Sequence, residues 1–319
     1  MAAAMEPLNL QGWLPIRIWQ AQQGWRVDWC WFAEQPLLQP FFRDAVDQAL
    51  RLPFNQALRR ETPLAALQQW QRQRPGLAPS AFIFHASRCG STLVSQMLAQ
   101  LEDHIVLSEP PPLDTLLRAE LPWPQRVQAI QGLVSAYGQP RRGGESRLVI
   151  KLDAWNIGEL PWLRQCFPDT PWLFIYRDPL DIAVSHLRRP GMHMVPGMIG
   201  PSVLDTGIFI DRERFIAQRL GRLLQRGLDY SRAFGGQLLN YQELPQAMER
   251  RLGDFFALTA AQRRAALACT QRHAKQPDQV FLADTEQKRQ AASAVLVEHV
   301  QCWARGPYER LERWRQRHA

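Results

Sequence analysis

Two short stretches of this 319-residue chain carry side chains suited to hold an anion. In Ser87-Arg88-Cys89-Gly90-Ser91-Thr92-Leu93 a permanent cation, Arg88, stands beside two hydroxyls, Ser91 and Thr92, at a glycine turn. Cation, hydroxyls and backbone N–H groups together suit a phosphate or a sulfate. In Tyr176-Arg-Asp-Pro-Leu-Asp-Ile-Ala-Val-Ser185 an arginine, Arg177, precedes a hydroxyl, Ser185, at a spacing that lets both converge on one phosphate. Each stretch also has a plainer reading. The first is then an ordinary turn with an incidental arginine. In the second, Arg177 pairs with a neighbouring aspartate and Ser185 merely packs.

The elements that must position these groups are strand–turn–helix units. Ala81 to Phe84 is a continuous apolar run of the kind that fills a parallel sheet, and Leu93 to Leu101 has the apolar spacing of a helix packed back on it. A helix starting directly after a strand aims unpaired N–H groups and its positive dipole end at one point. Trp172 to Tyr176 is a second buried strand, with Arg177 at its C-terminal end, where open α/β sheets bind ligands. Asp178-Pro179 begins the next turn, Asp181 suits the first helical turn, and Ser185 falls about two turns into the helix. The missing lysine before Ser91 and the missing first glycine argue against a nucleoside-triphosphate loop of the Walker A type.

Taken in order, the two motifs resemble the sulfotransferase family, whose donor is 3′-phosphoadenosine-5′-phosphosulfate (PAPS). Ser87 to Leu93 (Ser87, Arg88, Cys89, Gly90, Ser91, Thr92, Leu93) is similar to its 5′-phosphosulfate loop, with Arg as in the tyrosylprotein sulfotransferases rather than the Lys of the cytosolic small-molecule enzymes. Arg177 and Ser185 match its 3′-phosphate motif. The resemblance covers roughly residues 78 to 260. It implies an α/β fold with a central parallel sheet flanked by helices, related to the P-loop nucleoside triphosphate hydrolases, and no metal. It implies further site residues. Glu109, in Val106-Leu-Ser-Glu-Pro110, stands at an offset from Arg88 similar to that of the catalytic Glu in the tyrosylprotein enzymes, and would take the proton of the acceptor hydroxyl. Otherwise it is a surface residue ahead of a proline run. Lys151, closing Leu148-Val-Ile-Lys151, resembles the family's strand-end lysine that neutralises charge on the leaving phosphate. Its plainer reading is a lysine reaching solvent or paired with Asp153. Tyr241, in Asn240-Tyr-Gln-Glu-Leu244, resembles the tyrosine near the adenine, although Gln242 replaces the family's glutamate. Cys89 is implied to shape the loop rather than to act as a nucleophile. The family's glycine-rich closing loop has no match here, so His273, Lys275, Lys288 and Arg289 are candidates for that role or a solvated basic face.

Two other classes stay open at this point: a kinase-like phosphoryl transferase on the same fold, and a non-catalytic nucleotide-binding module. The acceptor, a small molecule or a peptide, is not readable, nor is oligomeric state, because fold does not fix function. With 38 Lys and Arg against 30 Asp and Glu, the net charge of +8 suits an anionic donor. The absence of zinc-finger spacing, basic repeats and RNA-binding motifs argues against nucleic acid. Five dispersed cysteines, none in a Cys-x-x-Cys pair, imply a reducing compartment. With no secretory leader and no membrane-length apolar run, a cytoplasmic protein is expected.

Residues 1–76 read as an α+β extension ahead of a sulfotransferase domain over 77–319. Ile16-Arg-Ile-Trp19 and Trp25-Arg-Val-Asp-Trp-Cys-Trp31 alternate around a turn at Ala21 to Gly24, which predicts a hairpin with Trp25, Val27, Trp29 and Trp31 on one face. That stripe is a packing face or, where exposed, a candidate for acceptor or partner binding. A helix is expected near Gln39 to Arg51, and another from Thr62 as N-cap with Pro63 at its first position to about Gln73. Trp303, Tyr308, Leu311 and Trp314 among many arginines predict an amphipathic C-terminal helix.

Overall fold

The computed structural model describes residues 8–205, 207, 209, 211–268, 272–273, 276–280 and 292–318. Lys275, Lys288, Arg289 and Cys269 lie outside them, as does the side chain of His273. In chain order the elements are β1 (Trp13–Ala21), β2 (Gly24–Trp31), α1 (Phe42–Ala49), α2 (Pro53–Ala57), β3 (Arg60–Pro63), α3 (Ala65–Gln73), β4 (Ala81–His85) and α4 (Ser91–Ala99). There follow β5 (His104–Ser108), α5 (Pro111–Leu117), α6 (Trp123–Tyr137), β6 (Arg147–Lys151), α7 (Leu160–Cys166), β7 (Trp172–Tyr176) and α8 (Pro179–Arg188). Then come α9 (Arg212–Phe234), β8 (Gln237–Asn240), α10 (Arg251–Phe255), α11 (Ala260–Ala268), two short antiparallel strands β9 (Arg272–His273) and β10 (Gln276–Val280), a helix over Ala294–Val300, a π-helical turn over Gln301–Arg305 and the C-terminal helix Gly306–His318.

The expected α/β architecture is present: a central parallel sheet of five strands in the order β5-β6-β4-β7-β8, flanked by helices. Strands β4, β5 and β7 are buried at every residue. That is why they read as unbroken apolar runs rather than alternating ones. In the parallel register Phe82 faces Trp172, His85 faces Ile175 and Tyr176 faces Asn240. The C-terminal ends of β4, β7 and β8 are thereby brought level, and the residues that follow them leave the sheet on one side.

The chain divides into two compact units. One comprises residues 81–97, 151–161 and 171–319. Within it the long helix α9 lies on β7, and Gly227 permits the approach, since a Cβ there would meet a ring carbon of Phe174 at 2.4 Å. Asp211 caps this helix by accepting the Arg214 N–H at 2.8 Å.

The other unit comprises residues 1–80, 98–150 and 162–170. The hairpin forms, with Ala21 opposite Gly24 and Trp13 opposite Trp31, and β3 adds to β2 in antiparallel fashion. Val27 and Trp29 of the tryptophan stripe are buried, whereas Trp25 and Trp31 are half-exposed. The helix start expected at Thr62 is not there. Thr62 and Pro63 pair with Val27 and Arg26 of β2, the Thr62 hydroxyl accepts from the Trp29 indole N–H at 2.9 Å, and helix α3 begins at Ala65. Pairing with a neighbouring strand supplies more backbone hydrogen bonds than one side-chain cap, and an edge strand tolerates the proline. Tyr137, fully buried on α6, donates its hydroxyl to the Pro15 carbonyl at 3.1 Å.

Candidate active site

The turn between β4 and α4 is built from backbone that most residues avoid. Ser87 (φ 66°), Arg88 (φ 49°) and Gly90 (φ 85°) all adopt positive φ. For Ser and Arg this is costly, and such strain persists where the surroundings impose it. Three local contacts do so. The Ser87 N–H donates to His85 Nδ1 at 3.0 Å, and the Cys89 thiol donates to the Ile175 carbonyl of β7 at 3.1 Å. Arg88 donates from Nη2 to the Arg189 carbonyl, just past α8, at 2.9 Å. Gly90 is required twice over: its φ is positive, and a Cβ would stand 2.7 Å from the Tyr241 ring and 3.0 Å from Leu244. Helix α4 then starts with Ser91 and Thr92, both buried.

Lys151, at the end of β6, is fully buried and donates from Nζ to the Thr92 hydroxyl at 3.5 Å. The solvent-reaching alternative for this lysine is therefore wrong. Arg177, at the end of β7, is 8% exposed. Its Nε is held by Asp181 at 3.0 Å, the neighbouring-aspartate pairing weighed from sequence, and its guanidinium lies over the Tyr241 ring at 4.4 Å. Tyr241 thus touches both motifs, packing against Gly90 on one side and Arg177 on the other. Ser185 is half-buried on α8, the helix that Arg177 precedes.

Cys89 lies at the centre of this cluster and is fully buried. Burial pushes its thiol up to about 12, and the charges of Lys151 and Arg177 oppose that rise without reversing it. The side chain is therefore a thiol, bonded to a strand carbonyl, and not a nucleophile at neutral pH. Both cations act on this one sulfur, so the loop, the end of β6 and the end of β7 meet around it.

Glu109 belongs to the other compact unit, directly after β5. It is half-buried and has a φ of 55°, a further non-glycine residue in the left-handed region. That backbone is not the relaxed conformation of an incidental surface residue.

Behind the ends of β7 and β8 lies a polar network that the motifs do not announce. Tyr176 donates its hydroxyl to Glu312 of the C-terminal helix, and Arg315 Nε donates to the Tyr176 oxygen at 3.1 Å. Asn240 Nδ2 donates to Glu312 at 3.0 Å and to the Tyr308 hydroxyl at 3.2 Å. Arg315 also reaches Glu243 at 3.2 Å, and Glu243 in turn holds Arg251. Burial would raise Glu312, but hydrogen bonds from Arg315, Asn240 and Tyr176 outweigh it and hold the carboxyl below its usual range. Burial and the hydrogen bond to Glu312 raise the Tyr176 hydroxyl well above its ordinary value. Asp178, next to Arg177, caps α8 by accepting the Leu180 N–H at 2.9 Å and is gripped by Arg305 at 2.9 Å.

Among solved structures, the chain is similar in fold to several sulfotransferases. The chain is similar in structure to a sulfotransferase from Alicyclobacillus acidocaldarius, at 16% identity over 75% of this chain and 96% of that one, with a TM-score of 0.45. It is also similar to sulfotransferase STF9 from Mycobacterium avium, at 14% identity over 75% and 80%, TM-score 0.46. A third is the sulfotransferase domain of the Synechococcus PCC 7002 olefin synthase, at 15% identity over 73% and 96%, TM-score 0.43. No protein-family model and no curated protein matches the sequence. Among the described residues, no helix is long and apolar enough to cross a membrane.

The residues that sequence reasoning missed are Leu244 against Gly90 and the group Arg305, Tyr308, Glu312 and Arg315. Asp181 sits one helical turn from Arg177 and carried a readable signal, the i,i+4 spacing. The C-terminal residues meet β7 and the turn after it from 127 to 139 positions away, and no local pattern reports that.

Proposed function

We propose that the protein is a sulfotransferase that moves a sulfuryl group from PAPS to an acceptor hydroxyl or amine. One observation supports this reading above the others: a strained loop, a fully buried lysine and a clamped arginine, from the ends of three strands, surround a single neutral thiol. A buried lysine at the start of α4, beside a loop of left-handed backbone, is the kind of setting in which proteins hold an anion. The Tyr241 ring, packed between Gly90 and the Arg177 guanidinium, suits a nucleotide carrying phosphates at two positions.

When bound, the donor supplies a sulfuryl group on a phosphate leaving group. The N–H groups of residues 87–92, together with Arg88, would hold the phosphosulfate. Lys151 would sit at the bridging oxygen, where charge builds as the S–O bond to phosphate breaks. Arg177 and Ser185 would hold the 3′-phosphate, the group that separates PAPS from ATP. Tyr241 would lie against the adenosine end. Glu109 would take the acceptor proton as the new O–S bond forms in line with the one that breaks. Asp181 holds the Arg177 guanidinium through Nε and so fixes where this side chain lies.

A thermal-shift comparison of adenosine 3′,5′-bisphosphate with AMP, ADP and ATP tests the donor. Stabilisation by the bisphosphate at concentrations where the other three leave the melting temperature unchanged is expected, since binding to the native state raises stability in step with affinity. Equal or larger stabilisation by ATP with magnesium would overturn the reading in favour of a phosphoryl transferase.

A further inference from the structure

We propose that Arg305, far from the motifs in sequence, makes the turn between β7 and α8 able to accept an anion by neutralising Asp178. The inference rests on the reading of Arg177 as a phosphate ligand. Arg177 is flanked by two carboxylates. Asp181 takes its Nε at 3.0 Å, and Asp178 is the next residue. One positive and two negative charges leave these three side chains with a net charge of −1, the wrong sign for a phosphate. Arg305 changes that. Its Nη1 lies 2.9 Å from one oxygen of Asp178 and its Nη2 3.4 Å from the other, a two-pronged pairing of half-buried groups with side-chain exposures of 24% and 14%.

With Arg305 counted, the four side chains carry no net charge, and the positive end of α8 then favours an anion at the turn. The charges behind the turn do not disturb this count: Glu312 and Glu243 are matched by Arg315 and Arg251. Arg305 is also delivered by unusual backbone. It ends the π-helical turn Gln301–Arg305, a form that is rare and is found often at functional sites. Asp178 cannot simply be dispensed with, because it caps α8 through the Leu180 N–H. The fold therefore keeps the cap and cancels its charge.

The experiment is calorimetric titration of adenosine 3′,5′-bisphosphate and of AMP into the wild type, Arg305→Gln, Arg305→Lys, Asp178→Asn and the Arg305→Gln/Asp178→Asn double variant, at two salt concentrations. The glutamine variant is expected to weaken bisphosphate binding about tenfold at low salt. AMP, which lacks the 3′-phosphate, changes less than about twofold. Lysine restores most of the loss. The double variant returns to within about threefold of wild type, because asparagine still caps the helix but carries no charge to cancel.

Unchanged bisphosphate affinity in Arg305→Gln overturns the proposal. So does a double variant as weak as the single one, which would make Arg305 a strut rather than a neutralising charge. Should the glutamine variant fail to fold, Asp178→Asn alone decides: tighter bisphosphate binding supports the proposal, and weaker binding overturns it. If the wild type binds bisphosphate no better than AMP, it is the assignment of Arg177 that fails, and the proposal with it.

Discussion

Cys89 and Gly90 show how two small side chains set the chemistry of a loop. A cysteine beside two cations is expected to be a reactive thiolate, yet burial wins, and the thiol is held on a strand carbonyl. Iodoacetamide should therefore label the exposed Cys302 in the native protein and leave Cys89 unlabelled until unfolding, as read by peptide mass spectrometry. Native labelling of Cys89 at the Cys302 rate would refute this account of the loop. Gly90→Ala places a methyl group on the Tyr241 ring at a positive-φ position, with an expected loss of about 1–3 kcal/mol in urea unfolding. Bisphosphate affinity should fall with it. Arg88→Ala is expected to abolish sulfuryl transfer, whereas Arg177→Ala should chiefly raise the donor KM. An Arg177→Ala enzyme with unchanged donor affinity would remove the 3′-phosphate role from that residue.

At the level of elements, what could be read from sequence was what lies close together in it. The strands around Phe82 and Phe174 declared themselves as unbroken apolar runs, and the turns after them by polar residues and glycine. Lys151 could be located at a strand end, but its complete burial could not, because that depends on what α4 lays over it. The start of α3 misled for a physical reason: Thr62-Pro63 is a sound helix-start signal in isolation, and pairing with β2 overrides it. The grip of Arg305 and Arg315 on the end of β7 joins segments more than a hundred positions apart, and only the folded chain reveals it. The same grip predicts a pH dependence. Glu312 is held below its ordinary value of 4.5, so the stability it contributes is present above that pH and is lost as the pH falls through the lowered value. The stability difference between wild type and Glu312→Gln should be constant from pH 7 to about pH 5 and shrink below that. A difference that grows on acidification would contradict the assignment.

For the molecule as a whole, the two compact units each draw on separated stretches of chain, so cutting the sequence is not the same as separating the units. The N-terminal hairpin shares its unit with α5 and α6, and Tyr137 of α6 is buried with its hydroxyl on Pro15. Removing residues 1–76 would bare that helix and strand the tyrosine hydroxyl without its acceptor. Such a variant is expected to lose cooperative thermal unfolding or to aggregate; a fragment that melts sharply at the wild-type temperature would show that α6 stands without the hairpin. The hold of residues 305–315 on the end of β7 also has a consequence in time. A ribosome makes the Ser87 loop first and reaches Arg305 and Glu312 on the order of ten seconds or more later. Through that interval a nascent chain has the Ser87 loop but lacks the contacts of Arg305 with Asp178 and of Glu312 with Tyr176. It should have little grip on nucleotide, so the protein would gain its appetite for the donor late, near the close of its own synthesis.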